Sequence, residues 1–140
     1  MQEIKYSVYP NVSGIKQAKF GNAGFIITAC QTKTLMPGVS VPIPTEVTFQ
    51  LPHCTEGQTN CIQLQIVPLD ELAAKDVDVN PGMITEKDYD KPVEIRLKSS
   101  SKRPFKVTPG MAIAMLVPVH VLHLPAIKVD EIEGPGLPEA

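Results

Sequence analysis

Charge of one sign is what this chain most plainly lacks. Thirteen Lys and Arg against fifteen Asp and Glu leave a formal net charge of −2, and no block of like residues concentrates it. Such a chain has no field to gather nucleic acid and no charged tail for a membrane surface, so neither is expected as a partner. The first residues, MQEIKYSVYPN, show no basic segment followed by an apolar core. That argues against secretion and for a cytoplasmic or nuclear protein. Long hydrophobic runs are also missing. The longest, at 111–127, is broken by Pro118, His120, His123 and Pro125, and falls short of the roughly 20 apolar residues of a spanning helix. Three histidines leave little material for a triad, and no Ser-His-Asp or Cys-His arrangement is legible. Three cysteines, an odd number, fit a reducing compartment better than a disulfide framework, although Cys54 and Cys61 are near enough in sequence to approach across a loop.

What is present reads as one globular domain. The chain has 140 residues, 43% apolar and 20% charged, enough for a real core. The domain is expected over 1–133, with a flexible tail, GPGLPEA, at 134–140. Fourteen prolines against nine glycines fall between short apolar runs, which favours short strands because proline interrupts helix interiors. Val47, Phe49 and Leu51 alternate with polar residues, as do Ile62, Leu64 and Ile66, and Val93, Ile95 and Leu97; a period of two buries one face of a strand. Val39, Val41 and Ile43 repeat this more weakly, and Pro42 among them predicts an edge strand. The run at 111–127, apolar on both faces, predicts a strand covered on both, by a second sheet or by neighbouring subunits.

Three Pro-Gly pairs, Pro37-Gly38, Pro81-Gly82 and Pro109-Gly110, predict type II turns. Pro68 to Lys75 carries good helix formers with acidic residues early, and predicts a turn or two of helix. The fold class expected is all-β, a β-sandwich or jelly roll with at most one short helix. No metal site is expected: His53, Cys54 and Cys61 supply only three ligands without Cys-x-x-Cys spacing. They are expected to be a surface histidine and small buried cysteines. His120 and His123 are expected on opposite faces of one strand.

The segment GMITEKDYDKPVEIRL at 82–97, followed by PGMAIAMLV at 109–117, resembles the centre of the trimeric deoxyuridine triphosphatase (dUTPase) family. Gly82, Ile84 and Tyr89 match that pattern, as do Ile113, Ala114 and Leu116, but Thr85 stands where the family's water-activating aspartate follows the isoleucine. In the first motif Gly24 and Phe25 match, while Ile26 replaces the aspartate that helps hold magnesium; an alkyl chain offers no oxygen to a hard cation. In the second motif Pro68, Leu72 and Ala73 match, while Leu69 and Asp70 replace the phosphate-reading arginine and serine. Asp70 and Glu71 then present carboxylates to a polyanion where a charge-assisted fork belongs. The polar positions of the fourth motif are Met111, Ala112 and Met115, and the aromatic of the C-terminal fifth motif has no counterpart.

The resemblance implies a dUTPase-like fold and a homotrimer, with Gly82, Ile84 and Tyr89 marking a vestigial nucleotide pocket. Its departures fall on catalytic and phosphate positions. The expectation is therefore a non-catalytic trimeric interaction module with an unidentified protein partner, of viral or retroelement descent, needing no cofactor. The alternatives are a working dUTP pyrophosphatase, with magnesium and a relocated carboxylate at Glu86 or Asp88, and a sensor that binds nucleotide without turnover.

Overall fold

The computed structural model describes residues 3–9, 14–17, 24–55 and 61–135. Strands dominate them: β1 (Lys5–Val8), β2 (Ile15–Gln17), β3 (Phe25–Thr28), β4 (Lys33–Leu35), β5 (Ser40–Pro44), β6 (Val47–Gln50), β7 (Cys61–Val67), β8 (Val77–Val79), β9 (Gly82–Ile84), β10 (Glu94–Ser99), β11 (Phe105–Val107) and β12 (Ala112–Val121). A single-turn helix, α1 (Asp70–Ala73), lies between β7 and β8, and a 3₁₀ turn (Glu86–Asp88) follows β9. The strands form four antiparallel sheets, ordered β1-β6, β5-β10-β8, β11-β4 and β2-β3-β12-β7-β9. Among the described residues no helix is long and apolar enough to cross a membrane.

Period-two patterning becomes one core. Val93, Ile95 and Leu97 are buried while Glu94, Arg96 and Lys98 are exposed, and Val47, Phe49 and Leu51 turn inward in the same way. Residues of all four sheets, among them Phe49, Leu35, Leu97 and Leu116, join a single buried cluster. β5 is an edge strand whose Pro42 sits opposite Arg96, so the proline occupies the place that needs no second ladder.

β12 is the central strand of the five-stranded sheet, between β3 and β7. A register shift between Ala112 and Ala114 interrupts its pairing with β3. An extra residue there lets two successive side chains, Ile113 and Ala114, both reach 0% exposure, which strict alternation forbids. Pro118 lies past Leu116, the last residue paired to β3, so its missing N–H leaves that ladder intact.

Several expectations are corrected. The strand predicted across 111–127 ends at Val121, and Leu122, Leu124 and Ile127 beyond it are 63%, 74% and 79% exposed. His123 thus lies off the strand, and the alternation argument about His120 and His123 does not apply to it. Two of the Pro-Gly pairs are turns, with Gly38 at φ +77° and Gly110 at φ +84°, closed by Val39 N–H to Met36 O and Met111 N–H to Thr108 O. Gly82 instead begins β9, its φ fixed by pairing with Ile66 of β7. The helix is α1 alone, with Leu72 its buried side chain. Of the tail expected at 134–140, residues 136–140 lie outside the described residues.

One buried hydroxyl joins two sheets. Thr45 is 0% exposed; its Oγ1 donates to Val93 O at 2.7 Å and accepts the Val47 N–H at 3.3 Å. Thr45→Val keeps the shape and strips both groups of this partner. The expected loss is about 1–3 kcal/mol in urea denaturation, and a loss below about 0.5 kcal/mol, the scatter of ordinary surface changes, would mean that the carbonyl of Val93 finds another donor.

Candidate functional site

β9 pairs with β7 in the register Leu64 to Ile84, Gln65 to Met83 and Ile66 to Gly82. The chain then turns through Glu86–Asp88 and returns as β10. Between the two limbs lies a hollow of about 530 Å³ lined by Met83, Ile84, Asp88, Lys91, Val93 and Glu94. A second hollow, of about 490 Å³, lies beside it and takes in Gln63, Thr85, Glu86, Cys54, Cys61 and His123.

The polar residues of the turn between β9 and β10, strands of two different sheets, hold backbone N–H groups. Thr85 Oγ1 accepts the Lys87 N–H at 3.3 Å, and Asp88 Oδ2 accepts the Thr85 N–H at 2.9 Å, a reciprocal cap on the 3₁₀ turn. Glu86 Oε2 accepts the Cys54 N–H at 2.8 Å and lies 3.1 Å from His53 Nδ1. The Cys54 N–H is the main reason the Glu86 carboxyl is held below its usual range; desolvation, the next largest effect, opposes it, and His53 and Lys87 add to the lowering.

A lowered carboxyl favours the folded state above the unfolded carboxylate pKa, and that contribution disappears as pH falls through the folded value. Glu86→Gln is therefore expected to lower the urea midpoint at neutral pH and to match the unmodified protein in acid. A gap between the two that persists in acid would show that the substitution acts through something other than this carboxylate.

The expected pocket residues do not gather in one place. Ile84, 5% exposed, lines the 530 Å³ hollow, and Gly82 sits two residues before it on β9. Tyr89 is 63% exposed and borders a different hollow, of about 300 Å³, with Tyr6 and Phe49 of the β1-β6 pair. Of the two candidate carboxylates, Glu86 lines one hollow and Asp88 the other. Asp70 and Glu71, on α1, are exposed.

Ile26 stands in β3 opposite Lys16 of β2 and Met115 of β12. None of the three side chains carries an oxygen, so the magnesium position implied by the resemblance, which is held by a carboxylate, does not fit these residues. Gly24 does match its motif for a visible reason: a Cβ there would lie 2.6 Å from the Leu116 carbonyl oxygen, so only glycine lets the start of β3 run this close to β12.

The cysteines are the main correction to the sequence reading. Cys54 and Cys61 are joined as a disulfide, with Cα atoms 5.6 Å apart, inside the usual range for such a bond. The odd count is explained by Cys30, the free one, whose thiol is pushed up chiefly by burial and then by Glu46; a raised thiol is a poor nucleophile. It is His123 that stands against the paired sulfurs, while His53 turns to Glu86. Sequence spacing had no way to find this: His123 is 62 positions from Cys61 and reaches it because Val121 pairs with Cys61 in the β7-β12 ladder.

Four antiparallel sheets around one core, with a capped 3₁₀ turn between β9 and β10 standing against two hollows, define an all-β fold. The model of the dUTPase family matches residues 11–134. The deoxyuridine 5'-triphosphate nucleotidohydrolase of Trichodesmium erythraeum is 35% identical over 115 residues, 80% of this chain and 73% of that relative. That of Alkaliphilus metalliredigens is 31% identical over 136 residues, 94% and 89% of the two chains. Among solved structures, the dUTPase from phage phi11 of S. aureus superposes with a TM-score of 0.78 at 16% identity, covering 94% of this chain and 99% of that one. Native EIAV dUTPase does so with 0.73 at 19% identity and the same coverage. The chain belongs to the dUTPase family, and its fold is that of the family.

Proposed function

We propose that this member of the dUTPase family keeps the scaffold and works by binding, as a homotrimeric, non-catalytic interaction module. The observation that carries the reading is the use made of the polar groups in the turn between β9 and β10. Thr85, at the base position of the resemblance, caps a 3₁₀ turn, and the neighbouring carboxylates of Asp88 and Glu86 hold the N–H groups of Thr85 and Cys54. A general base needs a carboxylate aimed at its water and a pKa near the working pH. Glu86 has its pKa moved the wrong way. The apolar segment after β12, with Leu122, Leu124, Ile127 and Ile132, supports subunit contact, since it runs on from the central strand and these four side chains are exposed.

One observation favours the second reading, an active dUTP pyrophosphatase. Glu86 lines the 490 Å³ hollow together with Thr85 and Gln63, so a carboxylate is present where a substrate has room. Relatives at 30–35% identity carry the nucleotidohydrolase name. Pyrophosphate release from dUTP with magnesium decides between the two, and a nucleotide-dependent rise in melting temperature without turnover identifies the sensor.

A further inference from the structure

Beside the turn between β9 and β10, and independent of any nucleotide chemistry, three soft or borderline donors meet. The ligand atoms of Cys54, Cys61 and His123 all lie within 4.8 Å of one another. They come from three separate pieces of chain: the loop after β6, the first residue of β7 and the segment leaving β12. Cys61 is 4% exposed and anchored in the β7-β12 ladder, so one sulfur is held rigidly. His123 is exposed and is drawn into none of the hydrogen bonds or ion pairs found among the described residues, which leaves its ring free to turn toward the sulfurs. A disulfide by itself needs no imidazole beside it. Two sulfurs and a ring nitrogen at the wall of a hollow do form a recognisable set.

We propose that reduction of the Cys54–Cys61 disulfide turns this corner into a zinc site, with the two thiolates and the His123 imidazole as ligands and the fourth position open to the 490 Å³ hollow. The donor set fits the metal: thiolate and imidazole select Zn²⁺ over the hard cations, and three protein ligands with one open position is a stable tetrahedral arrangement. With Zn–S bonds of about 2.3 Å, tetrahedral geometry sets the two sulfurs about 3.8 Å apart. The Cα separation of 5.6 Å reaches that by side-chain rotation, without moving β7. The step balances as follows. A dithiol reductant gives two electrons and two protons to the disulfide and is itself left as a disulfide; Zn²⁺ then displaces the two thiol protons to solvent. The site therefore exists in two forms, a covalent one under oxidising conditions and a metal-bound one under reducing conditions. Both close the same loop between Cys54 and Cys61 and keep the Cys54 N–H near Glu86.

The test uses the full chain, reduced with a phosphine, desalted without oxygen and titrated with Co²⁺ as the spectroscopic probe. The expected result is thiolate-to-cobalt charge-transfer bands with tetrahedral d–d bands, saturating at one equivalent and abolished by added Zn²⁺. The disulfide form is expected to show neither. His123→Ala, a change at an exposed position that leaves the fold alone, is expected to weaken Co²⁺ binding at least tenfold and alter the d–d envelope. Cys61→Ser is expected to abolish the charge transfer and Cys30→Ser to leave it unchanged. Circular dichroism of the reduced, metal-free chain checks that it stays folded. The proposal is overturned by reduced protein without saturable bands, by reduced protein that has unfolded, by His123→Ala binding as tightly as the unmodified chain, or by bands that depend on Cys30.

Discussion

Supplied with dUTP and magnesium, the purified protein is expected to release pyrophosphate about 10²- to 10⁴-fold more slowly than a dUTPase that carries an aspartate at the position of Thr85. That range is what a positioned general base contributes. Two further features push toward its upper end, the slower turnover. Leu69 and Asp70 stand where the resemblance calls for phosphate-binding groups, and the side chains of Ile26, Lys16 and Met115 offer magnesium no oxygen. Thr85→Asp alone is expected to fold normally, because aspartate is as good a cap as threonine, and to restore little activity, because one carboxylate does not replace a phosphate clamp. Turnover by the unmodified chain at the rate of an intact dUTPase would sink this reading. Glu86→Gln then becomes the informative variant, since loss of that turnover assigns Glu86 as the base.

The largest expected effect on stability is at Leu116. It is 0% exposed in the central strand, with Ile66 on one side and Phe25 on the other in the register of the sheet. Leu116→Ala removes methyl groups from a site whose backbone is fixed by two ladders, so the cavity has little means of collapse. The expected loss is about 2–5 kcal/mol by urea denaturation, a large part of the roughly 5–15 kcal/mol that holds a domain together. Leu124→Ala makes the same chemical change at a position 74% exposed. In a single chain it is expected to change stability by less than about 0.5 kcal/mol. In the proposed trimer it instead weakens assembly, seen as a shift from trimer toward monomer in sedimentation. Equal losses at the two leucines in dilute, monomeric protein would contradict the burial seen here.

Much of the fold was legible because one rule produced it. Alternation at Val93 to Leu97 and at Val47 to Leu51 is a local property, and the strands that it predicts are β10 and β6. Pro42 marked an edge, and two of three Pro-Gly pairs marked turns, again from the φ preferences of single residues. The third pair was misread because pairing with β7 overrode the local preference of Gly82. The long apolar run was misjudged for a related reason: hydrophobicity predicts that residues seek cover, and Leu122, Leu124 and Ile127 find none within one chain.

The sequence by itself determined the class of fold and the family, and it placed Ile26, Leu69 and Thr85 where the resemblance calls for a magnesium-holding aspartate, a phosphate-reading arginine and a water-activating aspartate, because each of these depends on residue type at a position. Only the tertiary structure decided what the remaining groups do. It set Glu86 on the Cys54 N–H, put Tyr89 on a hollow with Tyr6 and Phe49, closed Cys54 onto Cys61 and brought His123 to them. Those outcomes depend on which strands lie side by side. Strand pairing joins residues far apart in the chain, through backbone hydrogen bonds that carry no side-chain signature.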